Sequence, residues 1–224
     1  MSDVNFIEAL ESRRLLSADP GTIALSAAVQ ADHLQIRADL LKFNSDLLSC
    51  HATLQAGVSL LKADNLKSAK TVAAPIAKFR ADIKSTESTL RADRLAERRN
   101  VLNDEILIVG VLQKILKDKG NTTALAADHA QLLTDRIQLQ TDAIGGLNAR
   151  LNTRTGAFST LFNDLAAIVT AVGTDPNASA KLKADVSTWS ADRTHCMTTL
   201  TADIQALIAD RTQLVADLTA MQSA

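Results

Sequence analysis

The most constraining feature of the sequence is an unbroken alternation of three- and four-residue steps between mainly apolar positions. The positions of this seam are Ala130, Leu133, Ile137, Gln140, Ile144, Leu147, Leu151, Arg154, Phe158, Leu161, Leu165, Ile168 and Val172. Such spacing keeps one face of an α-helix turned toward neighbouring helices along its whole length. The seam keeps its phase across Gly145 and Gly146, so it predicts one continuous helix despite the helix-weakening effect of glycine.

Three further segments show helical periodicity, and turn residues separate them. The predicted helices A to D cover residues 22–69, 74–118, 122–172 and 177–222. An Asp-Pro step opens helix A and another opens helix D, which suits a helix start because Asp caps well and Pro fits the first turn. Short connections make sequential helices antiparallel. We therefore expect an all-α fold, an elongated up-down-up-down four-helix bundle with coiled-coil-like packing, formed by one domain over residues 19–224.

The composition argues against several classes of function. The net charge is −1 and aromatic residues make up 3% of the chain, so neither a basic surface nor stacking platforms for nucleic acid are expected. No apolar run approaches the roughly 20 residues of a membrane-spanning helix, so no transmembrane span is expected. Motifs for covalent haem, a di-iron carboxylate site and phosphate binding are missing. We expect no cofactor, and an enzyme is disfavoured because no nucleophile is paired with a base.

The N-terminal residues 1–18 form a separate segment in this interpretation. The run from Phe6 to Ala18, Phe-Ile-Glu-Ala-Leu-Glu-Ser-Arg-Arg-Leu-Leu-Ser-Ala, resembles the LEPR-XLL motif found near the N-terminus of many planctomycete proteins. Ser12 stands where that motif has Pro, whereas Arg13 and the Leu-Leu-Ser-Ala ending match. The resemblance implies an exported protein, periplasmic or at the cell surface, with a sorting-like or disordered leader. A conventional secretory signal is not indicated, since there is no continuous apolar region.

The two cysteines stand at matching heights if helices A and D are antiparallel. Cys50 lies on the seam of helix A and Cys196 on the seam of helix D, so an oxidising compartment would favour a disulfide between them. Two free cysteines packed as small apolar residues are the main alternative. A zinc site made of Cys50, His51, His195 and Cys196 is less favoured, because adjacent residues on a helix point about 100° apart.

Charged residues occupy seam positions near the same level. Glu87 of helix B and Arg154 of helix C are predicted to form a buried ion pair that fixes the register of the helices. The alternative is a polar layer that holds a small ligand or a metal. Aspartates recur every seven or eleven residues and are expected on solvated flanks of the seams, because single aspartates one heptad apart cannot share a calcium ion.

Helix A carries a second apolar stripe on nearly the opposite face from its seam. The stripe contains Leu34, Leu41 and Leu48, spaced by seven, with Ala or Ser between them. A helix that is apolar on two faces must be covered on both. This favours a structural, assembly or protein-interaction module, with protein as partner and a homo-oligomer through helix A as one form of assembly. A bundle that binds a small ligand or a metal is the alternative function.

Overall fold

The protein is all-α, with four long helices whose pairs pack against each other as in a four-helix bundle. The computed structural model describes residues 20–63 and 70–223, and no strand occurs within these ranges. The helices are α1 Pro20–Ala63, α2 Ala73–Lys117, α3 Thr122–Thr174 and α4 Ala180–Ser223, and a 3₁₀ turn Lys70–Val72 precedes α2. The predicted fold class and the continuity of α3 across its two glycines are confirmed. The N-terminal segment of residues 1–18 and the predicted extension of helix A to residue 69 lie outside the described residues.

The helix starts are fixed by side-chain caps. Asn121 caps α3, since its Oδ1 accepts a hydrogen bond from the backbone N of Ala124 at 3.1 Å. Helix α4 begins at Ala180, three residues later than predicted. The reason is that Asp175 closes the preceding turn by accepting from the N of Asn177, while Ser179 caps the helix through the N of Leu182 at 3.0 Å.

The contacts group into two compact units, and all four helices contribute to both. The first unit contains the described residues up to Arg37, the segment Arg98–Ile144 and the described residues from Ala209 onward. The second unit contains the described residues of Ala38–Glu97 and the segment Gly145–Ile208. The first unit has a core around Val29, Ile36, Leu214 and Leu218 and another around Ile108, Val111, Ile115 and Leu132.

Contacts in the second unit show that neighbouring helices run antiparallel. As the residue number rises along α1 it falls along α4, in the contact pairs Lys42–Asp203, Cys50–Cys196 and Gly57–Trp189. The same holds for α2 and α3 in the pairs Lys78–Asp164, Asp93–Thr153 and Glu97–Arg150. The main core of this unit is built from all four helices and includes Leu61, Phe79, Leu165, Ile168, Val186 and Trp189.

Gly57 allows a close approach between α1 and α4 in this unit. A Cβ atom at this position would lie 2.7 Å from Cδ1 of Trp189, so a side chain would push α1 away from α4. The indole ring of Trp189 in turn packs edge-on against Phe79, with ring centroids 5.7 Å apart.

Candidate functional site

The structure brings the two cysteines together. Cys50 of α1 and Cys196 of α4 are buried, and their Cα atoms lie 5.5 Å apart, within the range of a disulfide. No cysteine of the chain is left free in this arrangement. The predicted proximity of the two residues is confirmed, and with it the antiparallel register of α1 and α4 at this level.

The four residues considered for zinc do not converge. His51 and His195 are exposed, and Nε2 of His51 lies 3.3 Å from the side-chain amide nitrogen of Gln55 on its own helix. Within residues 20–63 and 70–223, no group of three or more His, Cys, Asp or Glu side chains is arranged to hold a metal ion. The geometry therefore lends no support to the metal-binding alternative.

A small, partly open cleft lies beside the cysteine pair. Besides the two cysteines, its lining residues are Asp46, Ser49, Thr53, Asp192, His195 and Thr199. Its volume is about 90 Å³, whereas sites for small organic ligands usually measure about 300–1,000 Å³. A cleft of this size accommodates water molecules and does not favour the small-ligand alternative.

The structure does not pair Glu87 with Arg154. Glu87 is exposed, and its charge acts on Arg193 of α4, whose guanidinium lies 5.2 Å from the ring centroid of Phe79. Arg154 instead lies near Arg94 and Arg150. Burial, followed by the charges of these two arginines, lowers the pKa of its guanidinium. The prediction failed because the seam shows which face of a helix points inward but leaves the axial offset between α2 and α3 open.

The carboxylate–guanidinium pair that does form joins Glu97 of α2 to Arg150 of α3. Nη2 of Arg150 lies 2.8 Å and 2.7 Å from the two carboxylate oxygens, and the side chains are only 15% and 17% exposed. Gly146 lies directly against the Glu97 side chain, and a Cβ there would clash with it. Two features of the sequence indicate this pair. Arg150 lies one helical turn before the seam residue Arg154, and Gly146 leaves room for a neighbouring side chain within an otherwise regular seam.

The recurring aspartates face each other across antiparallel helices. Their side chains interact in the pairs Asp32–Asp217 and Asp46–Asp203 between α1 and α4, and Asp82–Asp164 and Asp104–Asp142 between α2 and α3. Three aspartates of the repeated spacings are buried and not solvated as predicted, since Asp104, Asp135 and Asp203 are 6%, 9% and 4% exposed; Asp164, which lies outside these spacings, is also 4% exposed. The heptad and eleven-residue spacings therefore place carboxyl groups at matched heights on neighbouring helices.

Two of these carboxyl pairs are neutralised by a lysine one turn earlier on the same helix as one aspartate. Lys42 donates to Asp46 and to the buried Asp203, and Lys78 donates to Asp82 and to the buried Asp164. The hydrogen bond from Lys42 lowers the pKa of Asp46, and the bond from Lys78 lowers the pKa of Asp82. Lysines held in this way stabilise the charged form of the carboxylates.

The other two pairs behave in the opposite way. Burial, followed by the charge of Asp217, raises the pKa of Asp32. Burial, followed by the charge of Asp142, raises the pKa of Asp104, whose Oδ2 is buried without a hydrogen-bond partner. Binding a proton relieves such repulsion, so Asp32 and Asp104 favour the protonated form.

The second stripe of α1 is exposed. The fractional exposures of Leu34, Leu41 and Leu48 are 67%, 65% and 71%; Leu34 belongs to the first unit, and Leu41 and Leu48 belong to the second. Single exposed leucines are common on protein surfaces, but Leu41 and Leu48 of the second unit have the seven-residue spacing that is typical of an interaction surface.

A comparable stripe on α2 was missed from the sequence. Leu95, Leu102, Val109 and Leu116 are again spaced by seven, and they are 66%, 55%, 51% and 44% exposed. On the same helix Phe79, Leu90, Val101 and Leu112 are spaced by eleven, and this spacing predicts an inward face without indicating the seven-residue stripe.

Helix α3 contains an 18-residue window with a mean hydropathy of 1.3, of which 28% is buried. By length and composition alone, among the residues that the structure describes, this is the one helix that meets the requirement for crossing a membrane. The core helix of a bundle meets the same requirement, and Leu161, Leu165, Ile168 and Val172 of α3 are core residues of the second unit.

Comparison with protein-family models, with curated proteins and with solved structures gives no significant match to this chain. The function is therefore inferred from the arrangement of its own side chains.

Proposed function

We propose that the protein is a non-enzymatic structural module that assembles with a second copy of itself through the exposed stripe of α1. The observation that carries this proposal is the exposure of Leu41 and Leu48, seven residues apart on one face of α1 within the second unit. Covering these side chains removes apolar area from water, which is the main driving force of protein association.

The stripe is suited to pairing with itself. Between and beyond Leu41 and Leu48 it carries the small residues Ala38, Ser45 and Ala52, all exposed. If two copies of α1 run antiparallel about a two-fold axis near residue 43, Leu41 faces Ser45 of the other copy and Leu48 faces Ala38. Each leucine then fills the space above a small residue, as ridges fill grooves between packed helices. A second copy of this chain is therefore the partner whose surface fits.

Export is part of the same proposal. The N-terminal resemblance to the LEPR-XLL motif implies a sorted protein, and the buried Cys50–Cys196 pair suits an oxidising compartment, where disulfides persist. An exported assembly unit needs neither a cofactor nor a catalytic group.

The test compares two double variants that carry the same charge change. Leu41→Glu with Leu48→Glu places two carboxylates on the α1 stripe, and Leu102→Glu with Val109→Glu places two on the α2 stripe as the control. Light scattering after gel filtration measures the mass, and circular dichroism measures helix content. We expect the α1 variant to be monomeric and fully helical and the α2 variant to assemble as the unmodified protein does.

Two results contradict the proposal. If the α1 variant loses its helix content, the stripe is needed for folding and is not an assembly surface. If the α2 variant becomes monomeric while the α1 variant still assembles, the contact between copies lies on α2.

A further inference from the structure

The second unit contains a concentration of arginines that exceeds its nearby carboxylates. Arg94 of α2 and Arg150 and Arg154 of α3 are close enough for their charges to act on one another. Arg150 and Arg154 are one helical turn apart and therefore share a face of α3. Arg94 lies on the antiparallel neighbour and is exposed, so the group reaches from a half-buried position to the surface.

The neighbouring carboxylates are already engaged by other groups. Oε1 of Glu97 accepts a hydrogen bond from Nη2 of Arg150, and Oε2 lies 2.7 Å from the same nitrogen. Asp93 accepts a hydrogen bond from Oγ1 of Thr153 at 2.7 Å, and its charge acts on Arg150. With three guanidinium groups and two carboxylates, the group carries an excess of one positive charge.

Arg154 differs from Arg150 in having no carboxylate partner among the described residues. Its Nε is buried and has no hydrogen-bond partner, and Nε of Arg150 is in the same condition. Among the described residues, Arg154 forms no ion pair, although its side chain is only partly exposed. A half-buried guanidinium whose Nε has no acceptor is costly, and an anion that accepts from its other N–H groups offsets part of this cost.

From this arrangement we propose that Arg154, with Arg94 and Arg150, forms a binding site for a tetrahedral oxyanion of the phosphate or sulfate class, either free or as an ester group. Guanidinium groups present two parallel N–H donors, and this fork matches two oxygens of such an anion. The exposed Arg94 gives the anion a route from solvent. The site is separate from the leucine stripe of α1. The anion-binding proposal therefore adds a ligand to the proposed assembly module and does not depend on the proposal of self-assembly.

Isothermal titration calorimetry on the full chain tests this site. Inorganic phosphate and inorganic sulfate are the first probes, with sodium chloride in the buffer to hold the ionic strength constant. Phenyl phosphate is the third probe and distinguishes an ester group from a free anion. We expect saturable binding with a dissociation constant on the order of 1 mM, as befits one small charged ligand.

Three variants assign the binding to the site. Arg154→Met should weaken binding by about tenfold or more, because it removes the unsatisfied donor. Arg94→Met should also weaken binding, and this variant provides a second test of the site if the Arg154→Met variant fails to fold. Arg80→Met, which removes an exposed arginine elsewhere on α2, should bind as the unmodified protein does.

The proposal is overturned if the unmodified protein shows no saturable binding of any of the three probes. It is also overturned if the Arg154 and Arg80 variants bind equally well, since the binding would then follow total charge and not this group of arginines. Tighter binding of phenyl phosphate than of inorganic phosphate would assign the site to an ester group; the reverse order would assign it to a free anion.

Discussion

Lys42 on the surface of α1 donates a hydrogen bond to Asp203, which is buried on α4. Nζ of the same lysine lies 2.9 Å from Oδ2 of Asp46, which is one turn further along α1. Lys78, Asp82 and Asp164 repeat this arrangement between α2 and α3. A lysine followed four residues later by an aspartate, opposite a second aspartate on an antiparallel helix, is thus a recurring device that fixes the height of one helix against its neighbour.

Replacing Lys42 by Met should lower the melting temperature at neutral pH, because Asp46 and Asp203 then repel each other without the lysine that bridges them. The pKa of Asp46 is lowered in the folded protein, so this stabilisation is present above the pKa of the unfolded chain, about 3.8. It is lost as the pH falls through the still lower pKa of the folded state. Thermal unfolding of both proteins at pH 7 and at low pH checks this, and an equal difference at both pH values would contradict it.

Replacing Asp104 by Asn should stabilise the protein at neutral pH by about 1 kcal/mol, because a buried charge beside Asp142 is removed and an amide donor is gained. The pKa of Asp104 is raised in the folded protein above the ordinary 3.8. The folded state therefore binds a proton more tightly, and the unmodified protein gains stability as the pH falls through this raised pKa. The free energy of unfolding gained by Asp104→Asn should therefore decrease as the pH falls through the raised pKa of Asp104.

The control for this substitution is Glu105→Gln, which removes the same charge from the exposed neighbouring position. Denaturant unfolding of the three proteins between neutral and acid pH measures the effect. A destabilised Asp104→Asn variant at pH 7, or an equal gain from Glu105→Gln, would show that the carboxyl pair is not repulsive.

Two adjacent glycines of α3 should respond in opposite ways to alanine. A Cβ at Gly145 meets no atom within 4 Å, so Gly145→Ala should stabilise the helix by about 1 kcal/mol. A Cβ at Gly146 clashes with Glu97, so Gly146→Ala should destabilise the protein by about 1–3 kcal/mol through overpacking. Chemical denaturation measures both free energies. Equal effects of the two substitutions would mean that α2 does not approach α3 closely at Gly146.

The cysteine pair should contribute substantially to stability if it is oxidised. The two residues are 146 positions apart, and in the chain-entropy model a loop of this size stabilises by up to about 5 kcal/mol. We expect protein from its native compartment to be protected from alkylation until it is reduced, as intact mass shows. Cys50→Ser combined with Cys196→Ser should lower the melting temperature as much as reduction does. Two thiols that react before reduction would argue against both the bond and export.

The helices were predictable because each depends on local periodicity. The seam from Ala130 to Val172 predicted α3 across Gly145 and Gly146, and the antiparallel order that follows from short connections placed Cys50 near Cys196. The start of α4 was not predicted, since an Asp-Pro step suits a turn as well as a helix cap, and Asp175 forms the turn.

The polar contacts were less predictable because they depend on the axial offset between helices. Glu87 was placed opposite Arg154, whereas the structure sets Glu97 against Arg150. The aspartate spacings are visible in the sequence, but the sequence does not show which aspartates interact between helices, such as Asp104 of α2 with Asp142 of α3. Periodicity also could not show whether Leu41 and Leu48 face a neighbouring helix or solvent; the structure exposes both.

Sedimentation equilibrium of the unmodified protein over a wide range of concentrations tests the proposed assembly most directly. The chain has a mass of 23.9 kDa, and pairing through the α1 stripe predicts a reversible rise to twice this mass as the concentration increases. The proposed contact predicts that the rise is absent from the Leu41→Glu, Leu48→Glu variant. A mass of 23.9 kDa at every concentration would contradict self-assembly through Leu41 and Leu48.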